Sequence, residues 1–245
     1  MAILWRKEVN GTNYEVRSAG ATRRLYTDGV FHSQYNPDKS LAGGIWDLLL
    51  LPAFFSTQDK IKRVLVLGVG GGAVIQQLQR YISPDEIIGV ELNPIHLYVA
   101  RKFFSISKSV ADLHEADAIQ WLKDYKGPKF DLIIEDLFSE DNGEPVRAVV
   151  PTAQWFNLLN KNMSQQGILV MNFISHTEFR DAAYFSSKSL TQRFKSVFQL
   201  SLPLYENRIG VFLKQQSSSG QLRERLLKIS GLRNFKYQIR KIIKT

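Results

Sequence analysis

RVLVLGVGGGAVIQQLQRYISPDEIIGVE, residues 63–91, is the stretch that decides the fold of this chain. Its apolar run at 64–67 predicts a parallel strand that is buried on both faces. A glycine turn follows at once, and after it come a short helix and a second strand that ends at Glu91. This order of elements predicts a sheet with a nucleoside-cofactor site at the carboxyl ends of its strands.

The glycine turn supplies four candidate cofactor-binding residues, Gly68, Gly70, Gly71 and Gly72. Without a Cβ atom they can take positive φ and let a ligand approach the backbone, and the following helix presents unpaired N–H groups. Glu91 is the fifth candidate, because a carboxylate at the tip of the second strand can accept both hydroxyls of a ribose.

Two cofactors fit this turn, NAD and S-adenosylmethionine. Residues 197–202 and 208–213 predict two strands that only five residues separate. A parallel crossover needs about a dozen residues or more, so this pair is predicted to be antiparallel. An all-parallel NAD-binding sheet has no such terminal hairpin, and the pattern therefore favours S-adenosylmethionine.

Polar residues also follow the next three predicted strands. Asp117 and Ala118 follow the third strand, where Asp117 is either a helix N-cap or the acceptor of an adenine amino group, and the Ala118 N–H faces a ring nitrogen. Asp136 ends the fourth strand and is the candidate catalytic residue beside a sulfonium, whereas its neighbour Glu135 is interpreted as a solvated strand end. Asn172 ends the fifth strand.

The alternation of strands and helices from residue 63 predicts an α/β, Rossmann-like class I methyltransferase fold. We expect a mostly parallel seven-stranded sheet with a C-terminal antiparallel hairpin, after a small N-terminal β-meander. The predicted organisation is a β-rich segment at 1–58, an S-adenosylmethionine-binding transferase domain at 59–214, and a linker with a basic helical tail at 215–245. In that tail, residues 222–229 and 232–242 each show helical spacing of apolar residues.

The composition places the positive charge in the tail. Residues 221–245 contain eight basic residues and one acidic residue, so they carry +7 of the chain's net +9. Such a segment predicts either a nucleic-acid or acidic partner or a solvated amphipathic end. The chain has no cysteine, no signal-peptide pattern and no apolar run long enough to span a bilayer, so we expect a cytoplasmic protein with no membrane partner and no metal site.

Eight motifs in sequence order resemble the spermidine synthase (polyamine aminopropyltransferase) family over roughly residues 10–213. They are RRLYTDGVFHSQ, LPAFF, VLVLGVGGG, GVELNP, HEADAIQWL, FDLIIEDL, GILVMN and NRIGVFL. The resemblance implies a small N-terminal β-domain, a Rossmann-like transferase domain and a homodimer.

The resemblance also assigns roles to single residues. It makes Asp136 the base or orienting group for an attacking amine, Glu91 the ribose ligand, and Asp117 with Ala118 the adenine pair. His32 lies in the family's cofactor-contacting turn and is a further candidate. His176, just after the fifth strand, is a weaker one.

Departures from the family pattern concern the amine substrate. Gly71 stands where the family has an aspartate that holds an amine, residues 44–46 replace polyamine-binding side chains, and the second aspartate after Asp136 is missing unless Glu140 or Asp141 substitutes. We therefore expect S-adenosylmethionine itself as the cofactor and a methyltransferase that acts on a small-molecule acceptor. The alternatives are an aminopropyltransferase that uses decarboxylated S-adenosylmethionine and a non-catalytic protein that binds nucleic acid.

Overall fold

The structure, a computed structural model, describes residues 1–39, 41–141 and 144–243. The chain begins with a four-stranded antiparallel sheet in the order β1-β2-β3-β4. The strands are β1 (Ala2–Val9), β2 (Thr12–Ala19), β3 (Thr22–Thr27) and β4 (Val30–Tyr35). Asp28 and Gly29 link the last two strands with φ values of 45° and 84°, the backbone twist that a two-residue hairpin favours. The predicted meander is confirmed, with β1 as an additional strand.

Ten more strands follow in the described part of the chain. They are β5 (Arg63–Leu67), β6 (Glu86–Glu91), β7 (Asp112–Glu115), β8 (Phe130–Glu135), β9 (Phe138–Asp141), β10 (Glu144–Arg147), β11 (Met163–Phe173), β12 (Ser196–Ser201), β13 (Arg208–Leu213) and β14 (Gln238–Ile242). β9 and β10 form a separate two-stranded hairpin, and the other eight form one sheet in the order β14-β12-β13-β11-β8-β5-β6-β7.

This large sheet is parallel from β11 to β7, and β11, β13, β12 and β14 pair antiparallel. The predicted terminal hairpin is β12–β13, in which Ser196 pairs with Leu213 and Leu200 with Ile209. The predicted Rossmann-like fold is thus confirmed, although the sheet has eight strands instead of seven.

Helices cover both faces of the sheet. They are α1 (Ile45–Leu50), α2 (Ala73–Tyr81), α3 (Pro94–Phe103), α4 (Ala118–Asp124), α5 (Ala153–Asn162), α6 (His176–Asp181), α7 (Ala183–Ser186), α8 (Lys188–Arg193) and α9 (Ser219–Leu227). Side chains of β5 alternate between two cores: Val64 and Val66 pack with α1, α2, α3 and α9, whereas Leu65 and Leu67 pack with α4 to α8. The predicted first segment 1–58 thus forms the N-terminal sheet and also packs, through α1, against the large sheet.

The basic tail is docked, and its predicted second helix is wrong. Gln238–Ile242 forms β14, which pairs with the exposed edge of β12. Ser217, in the predicted linker, is buried and bonds through its N–H to the Ser196 hydroxyl at 2.9 Å, and Ser218 caps α9. The free backbone groups at the edge of β12 pair with residues 238–242 and stabilise a strand there, although the spacing of the apolar residues fits a helix. Within the described residues, no helix is both long and apolar enough to cross a bilayer.

Candidate active site

A cavity of about 400 Å³ lies at the carboxyl ends of the parallel strands, next to the N-terminal sheet. Its lining comes from the ends of β5, β6, β7, β8 and β11 and the residues that follow them, and also from β4, α1, α3, the β9–β10 hairpin with the residues after it, and the β12–β13 loop. The lining residues are Val30, Phe31, His32, Ile45, Trp46, Gly68, Gly70, Val90, Glu91, Leu92, His96, Ala116, Asp117, Ala118, Ile119, Asp136, Leu137, Phe138, Ser139, Pro145, Ala148, Val149, Asn172, Ile174, Tyr205 and Asn207.

The glycine turn brings the backbone of β5 close to the end of β8. Gly68, Gly70 and Gly72 have φ values of 84°, 52° and 83°. A Cβ atom at Gly68 would lie 2.1 Å from the carbonyl oxygen of Asp136, so glycine is required there for close approach as well as for φ. Gly68 and Gly70 line the cavity, and their role in cofactor binding stays a prediction.

Gly71 and Gly72 do not line the cavity, in contrast to their prediction as cofactor-binding residues. A Cβ atom at Gly71 would lie 2.6 Å from the ring of Phe104, which is fully buried, and one at Gly72 would lie 2.8 Å from Ile106. A side chain at either position would therefore point into the core, and a contact of their backbone with a cofactor stays a prediction. A carboxylate side chain at position 71 would collide with the ring of Phe104, which occupies this space.

Glu91 sits at the tip of β6 as an anion held by the backbone. Its Oε2 accepts hydrogen bonds from the N–H groups of Val69 at 3.0 Å and Gly70 at 2.9 Å, and its Oε1 accepts one from Asn93 at 2.9 Å. Burial favours the protonated form, but His96 and these N–H groups outweigh it and lower the pKa of Glu91. The carboxylate thus fixes the glycine turn and borders the cavity at the same time.

Asp117 and Ala118 line the cavity at the start of α4. The Oδ1 atom of Asp117 accepts the N–H of Gln120 at 2.8 Å, which makes Asp117 the N-cap of the helix. The capping role is therefore present in the structure. Adenine binding by Asp117 and by the Ala118 N–H stays a prediction.

Asp136 follows β8 and is held by the amide of Asn172, which a second asparagine supports. The Nδ2 atom of Asn172 donates to Asp136 Oδ1 at 2.7 Å, and Asn207 Nδ2 donates to Asn172 Oδ1 at 3.0 Å. Burial raises the pKa of Asp136 to about 6, against the lowering effects of the Asn172 hydrogen bond and of Arg147. At neutral pH this carboxylate is ionised, more basic than an ordinary aspartate, and fixed in orientation.

Glu135 is buried and ion-paired, so its interpretation as a solvated strand end is wrong. Its side chain is 0% exposed and binds the guanidinium of Arg147, which is 4% exposed. Arg147 also donates to the carbonyl oxygens of Val149 at 2.8 Å and of Asn172. Burial raises the pKa of Glu135, and the charge of Arg147 opposes that rise. The pair fastens the β9–β10 hairpin to the strand ends that carry Asp136.

His32 lies in the cavity wall with an unused ring nitrogen. Within the described part of the chain, its buried Nε2 atom has no hydrogen-bond partner. Burial and the neighbouring His96 lower the pKa of His32 to about 4, so the ring is neutral at pH 7. The other candidate, His176, is directed to Gln199 at 3.1 Å and does not line the cavity.

Several site residues escaped sequence analysis. Arg147 contacts strand-end residues from a segment that carries no motif of its own, and Tyr205 lines the cavity from a predicted loop. Asn207 and Phe31 lie within the motifs NRIGVFL and RRLYTDGVFHSQ, but these motifs indicated no role for either side chain. Of the two residues considered as substitutes for a second aspartate, Glu140 does not line the cavity. The side chain of Asp141 lies outside the described residues.

Comparison with known proteins identifies the family of this fold. The family described as the spermine/spermidine synthase domain matches residues 48–223, most of the chain. The chain belongs to this family. The resemblance stated from sequence motifs is thereby confirmed.

Curated relatives of the chain bear one recurring name. A polyamine aminopropyltransferase of Alkaliphilus metalliredigens is 31% identical over 166 residues, which are 64% of this chain and 57% of that protein. One of Vibrio vulnificus is 30% identical over 125 residues, 50% of this chain and 41% of that protein. The chain spans about half the length of the curated relatives it matches.

Solved structures share the fold across the whole chain. A probable spermidine synthase from Corynebacterium glutamicum has a TM-score of 0.75 at 18% identity, covering 98% of this chain and 91% of that one. A spermidine synthase in complex with the transition-state analogue AdoDATO has a TM-score of 0.67 at 14% identity, covering 96% and 80%. At identities this low, the likeness shows a shared fold alone.

The expectation that methyl transfer is favoured over aminopropyl transfer is wrong. The matched curated relatives are named polyamine aminopropyltransferases, and the domain family is that of spermine and spermidine synthases. The expectation depended on the missing carboxylate at Gly71. Since the ring of Phe104 occupies the space beside Gly71, that position reflects packing in this chain and does not indicate the group transferred.

Proposed function

We propose that this protein is an aminopropyltransferase that moves the aminopropyl group of decarboxylated S-adenosylmethionine to an amine acceptor. The observation that carries the proposal is the placement of Asp136. Among the described residues that line the cavity there are three carboxylates, and Glu91 binds backbone N–H groups while Asp117 caps a helix. Asp136 is left to act on an acceptor. The names of the curated relatives support the same reaction.

The cavity fits the nucleoside part of such a donor. Glu91 would accept the ribose hydroxyls, Asp117 and the Ala118 N–H would meet the adenine, and the backbone at Gly68 and Gly70 leaves room for close approach. The unused Nε2 atom of His32 offers one more polar contact in the same wall.

Transfer needs positioning and one proton acceptor. The donor supplies an electrophilic carbon next to its sulfonium: the amine lone pair forms the C–N bond, the C–S electron pair stays on sulfur as a thioether, and the amine gives up a proton. Asp136 would take that proton, because its pKa of about 6 leaves it ionised at neutral pH but more basic than a solvated aspartate. Asn172, itself held by Asn207, would keep the carboxylate aimed.

Other roles stay predictions. The tail exposes Arg223, Lys228 and Arg233, which suits a nucleic acid or acidic partner. Phe235 and Tyr237, however, are half-buried against the core, which leaves less of each ring to stack on bases. A homodimer and a cytoplasmic location likewise stay predictions.

Turnover by the purified chain tests the proposal. With decarboxylated S-adenosylmethionine and a panel of primary amines that includes putrescine and n-pentylamine, we expect an aminopropylated amine and 5′-methylthioadenosine in equal amounts, measured by chromatography with mass detection. S-adenosylmethionine is the matched control donor and should release no 5′-methylthioadenosine. Absence of 5′-methylthioadenosine with every amine would show the proposal to be wrong.

A further inference from the structure

One wall of the cavity is apolar and aromatic. Phe31 and Trp46 pack edge to face with ring centroids 4.8 Å apart, and Ile45 lines the cavity beside them. Tyr205, in the β12–β13 loop, also lines the cavity. Its hydroxyl lies next to Gly44, 3.9 Å from where a Cβ atom of that residue would be. Trp46 and Ile45 are buried, so the wall is preformed by the core.

Negative charge is scarce in the same cavity. Glu91 is engaged by three backbone N–H groups, and Asp117 caps α4. Among the described lining residues, only Asp136 is then available to balance positive charge. The donor of the proposed reaction brings both a sulfonium and an ammonium group. The described lining residues would offer a second ammonium on the acceptor no counter-charge, and desolvating it would be costly.

We propose, on the basis of the proposed function, that the preferred acceptor is a primary monoamine with an apolar body and not a polyamine. One amine nitrogen meets Asp136, and the remainder of the molecule lies against Ile45, Phe31 and Trp46. Burial of alkyl or aromatic surface against this wall is favourable, whereas burial of an unpaired ammonium is not.

The test compares two acceptors of the same shape, n-pentylamine and putrescine, which differ in a terminal methyl against a terminal ammonium. With decarboxylated S-adenosylmethionine and the full chain, kcat/KM for n-pentylamine should exceed that for putrescine by at least about tenfold. An equal value, or a higher one for putrescine, would overturn the inference and leave aminopropyl transfer standing. Turnover with neither amine would contradict both.

A matched pair of variants tests the electrostatic reason. Ile45 begins α1, where an acidic side chain is tolerated by the helix. Ile45→Glu should shift the kcat/KM ratio toward putrescine by at least about tenfold, because it gives the second ammonium a counter-charge. Ile45→Gln, of the same shape as Ile45→Glu and neutral, should shift the ratio much less, by no more than the loss of one apolar contact. A shift of the same size in both variants would contradict the electrostatic account.

Discussion

Replacing Asp136 by asparagine is expected to lower kcat by about 10²–10⁴-fold, the usual contribution of a positioned base. The substitution keeps the shape of the side chain and removes the group that would accept the amine proton. Asp131→Asn is the matched control, because Asp131 lies at the opposite end of β8, where its carboxylate accepts the N–H groups of Lys62 and Arg63. An Asp136→Asn enzyme that keeps more than about a tenth of the wild-type kcat would exclude this role.

The proposed role of Asp136 also predicts how turnover depends on pH. Because burial raises the pKa of Asp136 to about 6, its carboxylate is ionised above that pH and protonated below it. We expect kcat/KM of the wild type to fall as the pH drops through about 6, with protonation of the base. The residual activity of Asp136→Asn should lack this acidic limb, which pH–rate profiles of the two proteins would show.

Replacing Arg147 by leucine is expected to lower the free energy of unfolding by about 3–5 kcal/mol near pH 8, because it leaves the buried Glu135 without its counter-charge. Denaturant unfolding measures the change. Lys228→Leu is the control: Lys228 and Glu224 form an exposed pair within α9, and no measurable loss is expected there. A loss at Arg147 no greater than at Lys228 would show that the buried pair is unimportant for stability.

The loss of unfolding free energy in Arg147→Leu should depend on pH. Without the guanidinium, burial alone raises the pKa of Glu135 in the folded variant, so the folded state binds a proton that the unfolded state releases. The variant therefore gains stability as the pH falls. The wild type binds the same proton once the pH drops below the Glu135 pKa of about 7, so the difference in unfolding free energy should narrow as the pH falls toward about 7 and change little below it. Glu135→Gln added to Arg147→Leu should recover part of the loss near pH 8, since it removes the uncompensated charge.

Local patterns were sufficient for the sheet and for one half of the site. The run 64–67, the glycine turn and the tip residue Glu91 are adjacent in sequence, and parallel topology then brings Asp117 and Asp136 to the same edge. The five-residue link between β12 and β13 allowed only an antiparallel pair. These predictions needed no knowledge of distant contacts.

Contacts between distant segments account for what was missed. Glu135 is polar and ends a strand, and nothing near it in sequence indicates that Arg147 would return from a hairpin to pair with it. The stretch 232–242 has apolar residues at helical spacing, yet the open edge of β12 makes residues 238–242 a strand. Gly71 was interpreted as a lost amine ligand because the ring of Phe104 beside it belongs to a later segment.

Calorimetric binding of 5′-methylthioadenosine tests most directly whether one cavity combines a nucleoside end at Glu91 with a chemical end at Asp136. This ligand is neutral at sulfur, so its affinity does not depend on a nearby negative charge. We predict that Glu91→Gln weakens binding by at least about tenfold, because the ribose hydroxyls lose hydrogen bonds to a charged group. Asp136→Asn should bind 5′-methylthioadenosine as tightly as the wild type does. Unchanged binding by Glu91→Gln, or an equal loss in Asp136→Asn, would contradict this arrangement.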